Sequence, residues 1–203
     1  MRLLIARHGL TTWNTEGRFQ GQTDVPLNHT GRRQADALAK RLAGEHIDVV
    51  YASDLSRAWE TATTIVTHHT CLLHAEPGLR EMSFGDWEGL TYTEIQERDA
   101  QLLAHWEADE LNVSAPAGET LQQIAQRVQT VLERLIVDHP DETVLLVAHG
   151  GALQVLLCLA LGLSPQSYWQ FHLDQASLSE VRIYPQGAIL NLFNDTCHLE
   201  NQK

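Results

Sequence analysis

Three short apolar runs, Leu3-Leu4-Ile5-Ala6, Val49-Val50-Tyr51-Ala52 and Leu145-Leu146-Val147-Ala148, each lead into residues suited to holding phosphate. These are Arg7-His8-Gly9, Ser53-Asp54-Leu55-Ser56-Arg57 and His149-Gly150-Gly151. Runs without polar alternation, separated by longer stretches of helical period, are the pattern of parallel strands buried on both faces by crossover helices. If the three are neighbours, their carboxyl ends bring two imidazoles and two guanidiniums around one point, at the edge where open α/β sheets take ligands. The fold class that follows is α/β, a three-layer α/β/α sandwich. Its central sheet is mostly parallel, with at least one antiparallel edge strand from 177–184 and 189–193.

The remaining pattern fills in the layers. Thr30 is placed to cap a helix whose Ala35, Leu38, Ala39 and Leu42 share a face, with Gly44 just past its end. A helix is predicted over 55–68 and a short strand over 71–74. Thr91 and Glu94 form a capping-box pattern opening helical segments to about residue 109. A further helix from about 119 carries an apolar stripe from Leu121 to Leu135 and stops before Pro140, and a crossover helix follows over 152–162. No low-complexity stretch, repeat or charge block divides residues 1–203, which read as a single domain. The polar tail from Asp195 to Lys203 is expected to fray or to close over a neighbouring subunit, so a homodimer is left open.

Composition narrows the partners. Fourteen Lys+Arg against twenty-six Asp+Glu give a net charge of -12, which disfavours nucleic acid and anionic membrane surfaces. The most apolar run, 152–163, falls well short of the roughly 20 residues that span a bilayer. The first strand lacks the h-region and cleavage site of a signal peptide, so the expected location is cytoplasmic. Cys71, Cys158 and Cys197 show no CxxC spacing, which argues against a disulfide framework or a structural zinc site. Cys158 reads as a small core residue.

Successive strand side chains point to opposite faces, so Arg7 and His8 share a pocket only where the chain bends, a bend that Gly9 can supply. Gly150 and Gly151 let the backbone approach a ligand and open a helix with N–H groups aimed at an anion. Arg57, in the first turn of its helix, leans back over the sheet edge. Guanidiniums hold phosphate through charge-assisted hydrogen bonds, and their charge keeps a neighbouring imidazole neutral and nucleophilic.

At this level of detail the chain resembles the histidine phosphatase superfamily, also called phosphoglycerate mutase-like proteins. The resemblance runs through Arg7-His8-Gly9 with Asn14, Gly21 to Leu27, Thr30-Gly31, Ser53 to Ala58 with Thr61-Ala62, and Glu81 ahead of Phe84 to Gly89. It continues through Pro116 to Thr120 and His149-Gly150-Gly151. It implies that His8 becomes phosphorylated, that Arg7, Arg57 and His149 hold phosphoryl oxygens, and that Glu81 is the general acid/base. Asn14, Gln22, Thr23 and Gly150 would contact substrate. No metal and no cofactor are implied, and the partner is a small phosphorylated metabolite.

Within the superfamily, mutases carry basic residues after the acid. Here the stretch from Met82 to Gly118, a helical lid insertion by this resemblance, holds one Lys/Arg, Arg98, against eight Asp and Glu. That balance points to the phosphatase branch, most similar to α-ribazole phosphatases and broad phosphomonoesterases, with phosphoserine phosphatases close behind. Trp87, Tyr92 and Trp106 are candidates to stack on a planar leaving group. Phosphoserine hydrolysis, phosphoglycerate mutation and phosphate-ligand binding without catalysis are the alternatives. A metallohydrolase lacks its usual signatures here, such as HExxH.

Overall fold

The computed structural model describes residues 1–202, with side chains through residue 200. Six strands, β1 (Arg2–Arg7), β2 (Val49–Ala52), β3 (Leu72–Ala75), β4 (Thr143–Ala148), β5 (Leu178–Tyr184) and β6 (Gly187–Asp195), form one sheet in the order β3-β2-β4-β1-β5-β6. The four strands from β3 to β1 are parallel. β5 runs antiparallel to β1, and β6 antiparallel to β5. The three apolar runs that open the sequence argument are therefore adjacent, in the order β2-β4-β1. Their ends coincide, Arg7 standing opposite Ala148 and Ala52 opposite Val147.

Burial on both faces sorts the strand residues with a period of two. Leu3, Ile5, Val49, Tyr51, Val144 and Leu146 pack with the apolar faces of α5 (Leu121–Asp138) and α6 (Gly150–Ala160). Leu4, Ala6, Val50, Ala52, Leu145 and Val147 pack on the other side with α2 (His29–Leu42) and α3 (Ser56–Val66). A sheet with no exposed face at its centre needs apolar residues at both parities, which is why its strands read as unbroken runs.

Helix ends depart from the sequence reading in instructive ways. Asn28, not Thr30, caps α2, its side chain accepting from the Gly31 N–H at 2.8 Å. α3 has no cap of its own; Asp24, far away in sequence, accepts from the Ser56 N–H at 2.8 Å. α6 begins at Gly150, two residues earlier than expected. A short helix, α1 (Thr12–Glu16), follows β1 and has no counterpart in the sequence reading; Thr11 and Asn14 close it as a capping box.

Between β3 and α5 lies a separate apolar cluster of Trp87, Ile95, Leu103 and Ala115, built around α4 (Tyr92–Ala108). The Thr91 and Glu94 capping box is formed. α4 is interrupted at Asp99, whose backbone is non-helical and whose carboxylate accepts the Trp87 indole N–H at 2.8 Å. Trp87 is fully buried, with Trp106 packed edge-on against it, so these two rings are core of this segment rather than a stacking platform. Tyr92 is exposed and donates to Glu107 on its own helix.

Candidate active site

The coincident strand ends place His8 after β1 and His149 after β4, with ring centroids 5.1 Å apart. Both rings are buried. Their protonation can be read from their partners. His8 Nδ1 lies 2.6 Å from the Gly9 carbonyl, which only accepts, so Nδ1 carries the proton and Nε2 keeps its lone pair. His149 Nδ1 accepts from Arg57 Nε–H at 3.2 Å, so its proton sits on Nε2, 2.8 Å from Ser53 Oγ. Burial first, then Arg57 and Arg7, holds the His8 ring well below its ordinary titration range. Burial and Arg57 do the same to His149. Both imidazoles are neutral at pH 7.

The guanidiniums are fixed by backbone carbonyls rather than by carboxylates. Arg57 is fully buried; Nη1 donates to Thr23 O at 2.9 Å and Nη2 to Gly21 O at 2.7 Å. Arg7 donates through Nη1 to Leu173 O, and its buried Nε has no partner. Neither guanidinium is paired with a carboxylate, although Glu81 lies near enough to act on both charges, which suits a site that must receive an anion. A cleft of about 250 Å³ opens onto Arg7, His8, Asn14, Arg57 and Glu81.

Of the carboxylates near the motifs, Glu81 alone lines that cleft. Asp54 pairs with Arg80 at 2.7 Å, Glu16 with Arg18 at 2.8 Å, and Glu88 accepts from the Gln22 and Thr23 N–H groups at 2.9 and 2.8 Å. Glu81 accepts from Met82 N at 2.9 Å and from Gly151 N and Ala152 N at 3.1 Å each. The N-terminus of α6 does meet an anion, then, but the anion is this carboxylate. A Cβ on Gly151 would stand 2.6 Å from Glu81 Oε1, and one on Gly150 would stand 3.3 Å from Arg7 Cζ. Gly9 is needed for closeness more than for a bend: its backbone has negative φ, and a Cβ there would stand 2.4 Å from Gly31 O.

The structure separates the remaining expected residues. Asn14 lines the cleft while its Oδ1 closes the cap with Thr11. Gln22 turns away and donates to Glu81 O at 3.2 Å and Glu119 Oε2 at 3.3 Å. The Thr23 hydroxyl is tied to Glu88, and only its carbonyl serves the site, through Arg57. His149 is buried and does not line the cleft, and both its nitrogens are engaged, by Arg57 and Ser53.

The roles of several further residues were not legible in the sequence. Ser53 fixes the His149 ring. Arg127 donates to Gly78 O, Arg80 O, Glu81 O and Glu119, clamping the turn that carries Glu81. Glu88 pins the loop whose carbonyls hold Arg57. Arg18, Phe19, Gln20 and Phe84 complete the cleft wall. Of these, Ser53, Phe84 and Glu88 stand inside motif segments; Arg127 sits on the polar side of an amphipathic helix, where periodicity carries no functional signal.

Comparison with known proteins agrees with this geometry. Phosphoserine phosphatase 1 of Hydrogenobacter thermophilus is 32% identical over 199 residues, covering 98% of this chain and 94% of the relative. Adenosylcobalamin/alpha-ribazole phosphatase of Escherichia coli is 32% identical over 194 residues, 96% of each. The crystal structure of the alpha-ribazole phosphatase from Shigella flexneri matches with a TM-score of 0.90 at 33% identity, covering 96% of both chains. Mycobacterial glucosyl-3-phosphoglycerate phosphatase in complex with VO3 matches with a TM-score of 0.87 at 30% identity, covering 96% of this chain and 99% of that one. The histidine phosphatase superfamily (branch 1) model matches residues 3–196, and the sheet order and facing imidazoles fit that match: the chain belongs to this superfamily.

Proposed function

We propose that this chain hydrolyses a small phosphomonoester through a phosphohistidine on His8 Nε2. One observation carries the reading: the Gly9 carbonyl holds the His8 proton on Nδ1 and leaves the Nε2 lone pair near two guanidiniums that no carboxylate pairs. Arg7 and Arg57 receive the phosphoryl oxygens, with the Asn14 amide at the cleft wall. In the first step Nε2 attacks phosphorus, the P–O bond to the leaving group breaks, and Glu81, having taken the proton that the bound phosphate monoanion brings, gives it to that oxygen. In the second, water attacks, the P–N bond breaks, and the water proton returns to Glu81. Charge spread over the equatorial oxygens is met by the arginines, so the chemistry calls for no metal. His149 joins them once the Arg57 Nε–H turns from its Nδ1 to a phosphoryl oxygen and the ring proton moves to Nδ1; the Ser53 hydroxyl accommodates that change because it can donate to Nε2 as readily as accept from it.

Alkaline quenching after mixing with a 32P-labelled ester should trap label on His8, and His8→Asn should abolish both label and turnover. Label on another residue, or turnover by His8→Asn, overturns the assignment. Full rate in a chelator is expected.

For the leaving group, α-ribazole 5′-phosphate is favoured. Phe19 and Phe84, edge to face at 4.8 Å, form an apolar part of the cleft wall, which suits an aromatic nucleoside better than the zwitterion of phosphoserine. The segment 82–118, with its acidic surface and its own apolar cluster, acts as the lid over that wall and disfavours a second phosphate, hence hydrolysis over mutase transfer. The expected kcat/KM for α-ribazole 5′-phosphate exceeds that for L-phosphoserine at least about tenfold, falling to near parity in Phe19→Ala. Equal turnover of both by the unmodified enzyme removes this assignment and leaves the phosphohistidine reading intact.

A further inference from the structure

Away from the cleft, the carboxyl-terminal segment gathers three side chains of metal-ligating type. Asp195 ends β6, and Cys197 and His198 open the 3-10 turn Cys197–Gln202, which packs on α2. A carboxylate oxygen, the thiol sulfur and an imidazole nitrogen from these residues lie within 4.8 Å of one another. His198 is the informative member. Its Nε2 is 2.9 Å from the Ala176 carbonyl, so Nε2 carries the proton and Nδ1 the lone pair. Nδ1 is buried and has no hydrogen-bond partner. Buried acceptors are rarely left unmet, and an imidazole N–H given to a backbone carbonyl is the arrangement that orients metal-bound histidines.

We propose that Asp195, Cys197 and His198 form a zinc site separate from the catalytic cleft, with water as the fourth ligand. Mixed O, S and N donors on a tetrahedron suit zinc better than calcium or magnesium. With Zn–S near 2.3 Å and Zn–N and Zn–O about 2.0–2.2 Å, the ligand atoms of a closed site stand roughly 3.3–3.8 Å apart, so the three must draw together by about 1 Å. Cys197 is exposed and has room to make that movement. The thiol loses its proton to solvent as the S–Zn bond forms. Two anionic ligands neutralise the ion. Of the other charged groups facing the cluster, Arg41 lies 3.9 Å from Asp195 Oδ2 and is shared with Glu45, and Glu200 faces Cys197 with the opposite sign.

The site connects to the cleft by a short strut. Ala176, in left-handed backbone at φ 56, accepts from His198 through its carbonyl and gives its N–H to the His8 carbonyl at 3.1 Å. An ion on Nδ1 holds the imidazole that supports this strut, and it stabilises the fold by mass action.

Titration of the full-length chain with cobalt(II) tests the proposal. One equivalent is expected to give a thiolate-to-cobalt charge-transfer band and visible bands of tetrahedral intensity, all displaced by zinc. Cys197→Ser should abolish the charge-transfer band and weaken binding at least about tenfold, as should Asp195→Asn, with phosphatase activity in chelator unchanged in both. Zinc should raise Tm in the parent chain and not in Cys197→Ser. Absence of saturable one-to-one binding, a cobalt spectrum without the thiolate band, or binding unaltered by Cys197→Ser would each overturn it.

Discussion

A proton's position on a ring nitrogen decides what each of the two central histidines can do, and in both cases a neighbour with a single hydrogen-bonding role sets it. Gly9 O can only accept, and Arg57 Nε–H can only donate. Ser53 is different, since its hydroxyl can serve either tautomer of His149. Ser53→Ala leaves Nε2 of a fully buried ring without a partner, at about 1–3 kcal/mol, and kcat is expected to fall roughly 10- to 100-fold with KM little changed. Steady-state kinetics on a generic aryl phosphate will check this, and a KM effect alone would contradict it. Glu81→Gln keeps the size and the acceptor oxygen but cannot shuttle a proton. Its kcat on an alkyl phosphate is expected to drop about 10²- to 10⁴-fold, with a smaller loss on p-nitrophenyl phosphate, whose leaving group needs no proton.

Elements matter here mostly through their ends. The first turn of α6 touches Glu81, and a methyl at Gly151 would occupy the space of its Oε1. Gly151→Ala is therefore expected to lower kcat at least about tenfold by displacing the carboxylate, while Tm and inhibition by inorganic phosphate change little. The start of α2 touches the loop after β1: a Cβ on Gly31 would stand 2.0 Å from Leu10 O, and neither backbone can yield without moving His8. Gly31→Ala should destabilise by about 1–3 kcal/mol in urea unfolding and impair turnover as well. These contacts explain why helix boundaries were the least legible part of the sequence. Asn28 and Thr30 are both good caps by type, and which one serves depends on where the Gly9 and Gly31 backbones meet.

At the scale of the whole molecule, two buried neutral imidazoles make stability depend on pH. His8 and His149 titrate well below 6.5 when folded and near it when unfolded, so below that pH the unfolded chain binds more protons. Stability is expected to fall as pH drops from about 6.5 toward 5, by up to about 1.4 kcal/mol per pH unit for each ring. Urea midpoints at pH 7 and pH 5.5 will show it. A His149→Gln chain should show the shallower slope, and an unchanged slope would mean that the ring is not held neutral. Lowered carboxylates such as Glu180, about 2, act the same way only at more acid pH. Among the described residues, no helix is long and apolar enough to cross a membrane.

By itself, the sequence determined the layers and the chemistry at the strand ends. Strands covered on both faces must be apolar at every position, as Leu145 to Ala148 are, and a parallel sheet then fixes which ends converge. That is enough to bring Arg7, His8, Arg57 and His149 together. Only the tertiary structure decided which carboxylate joins them and what each auxiliary side chain touches. Glu81, Glu88, Asp54 and Glu16 are alike in type and nearness to a motif, and they are told apart by their partners: the α6 N-terminus, the 21–23 loop and Arg80, all distant in sequence, and for Glu16 the nearby Arg18. Trp87 and Gln22 likewise turned inward because a cluster and a carbonyl far along the chain satisfy them there. Strand pattern is a local consequence of burial, whereas side-chain partners are chosen by whichever distant group the fold delivers.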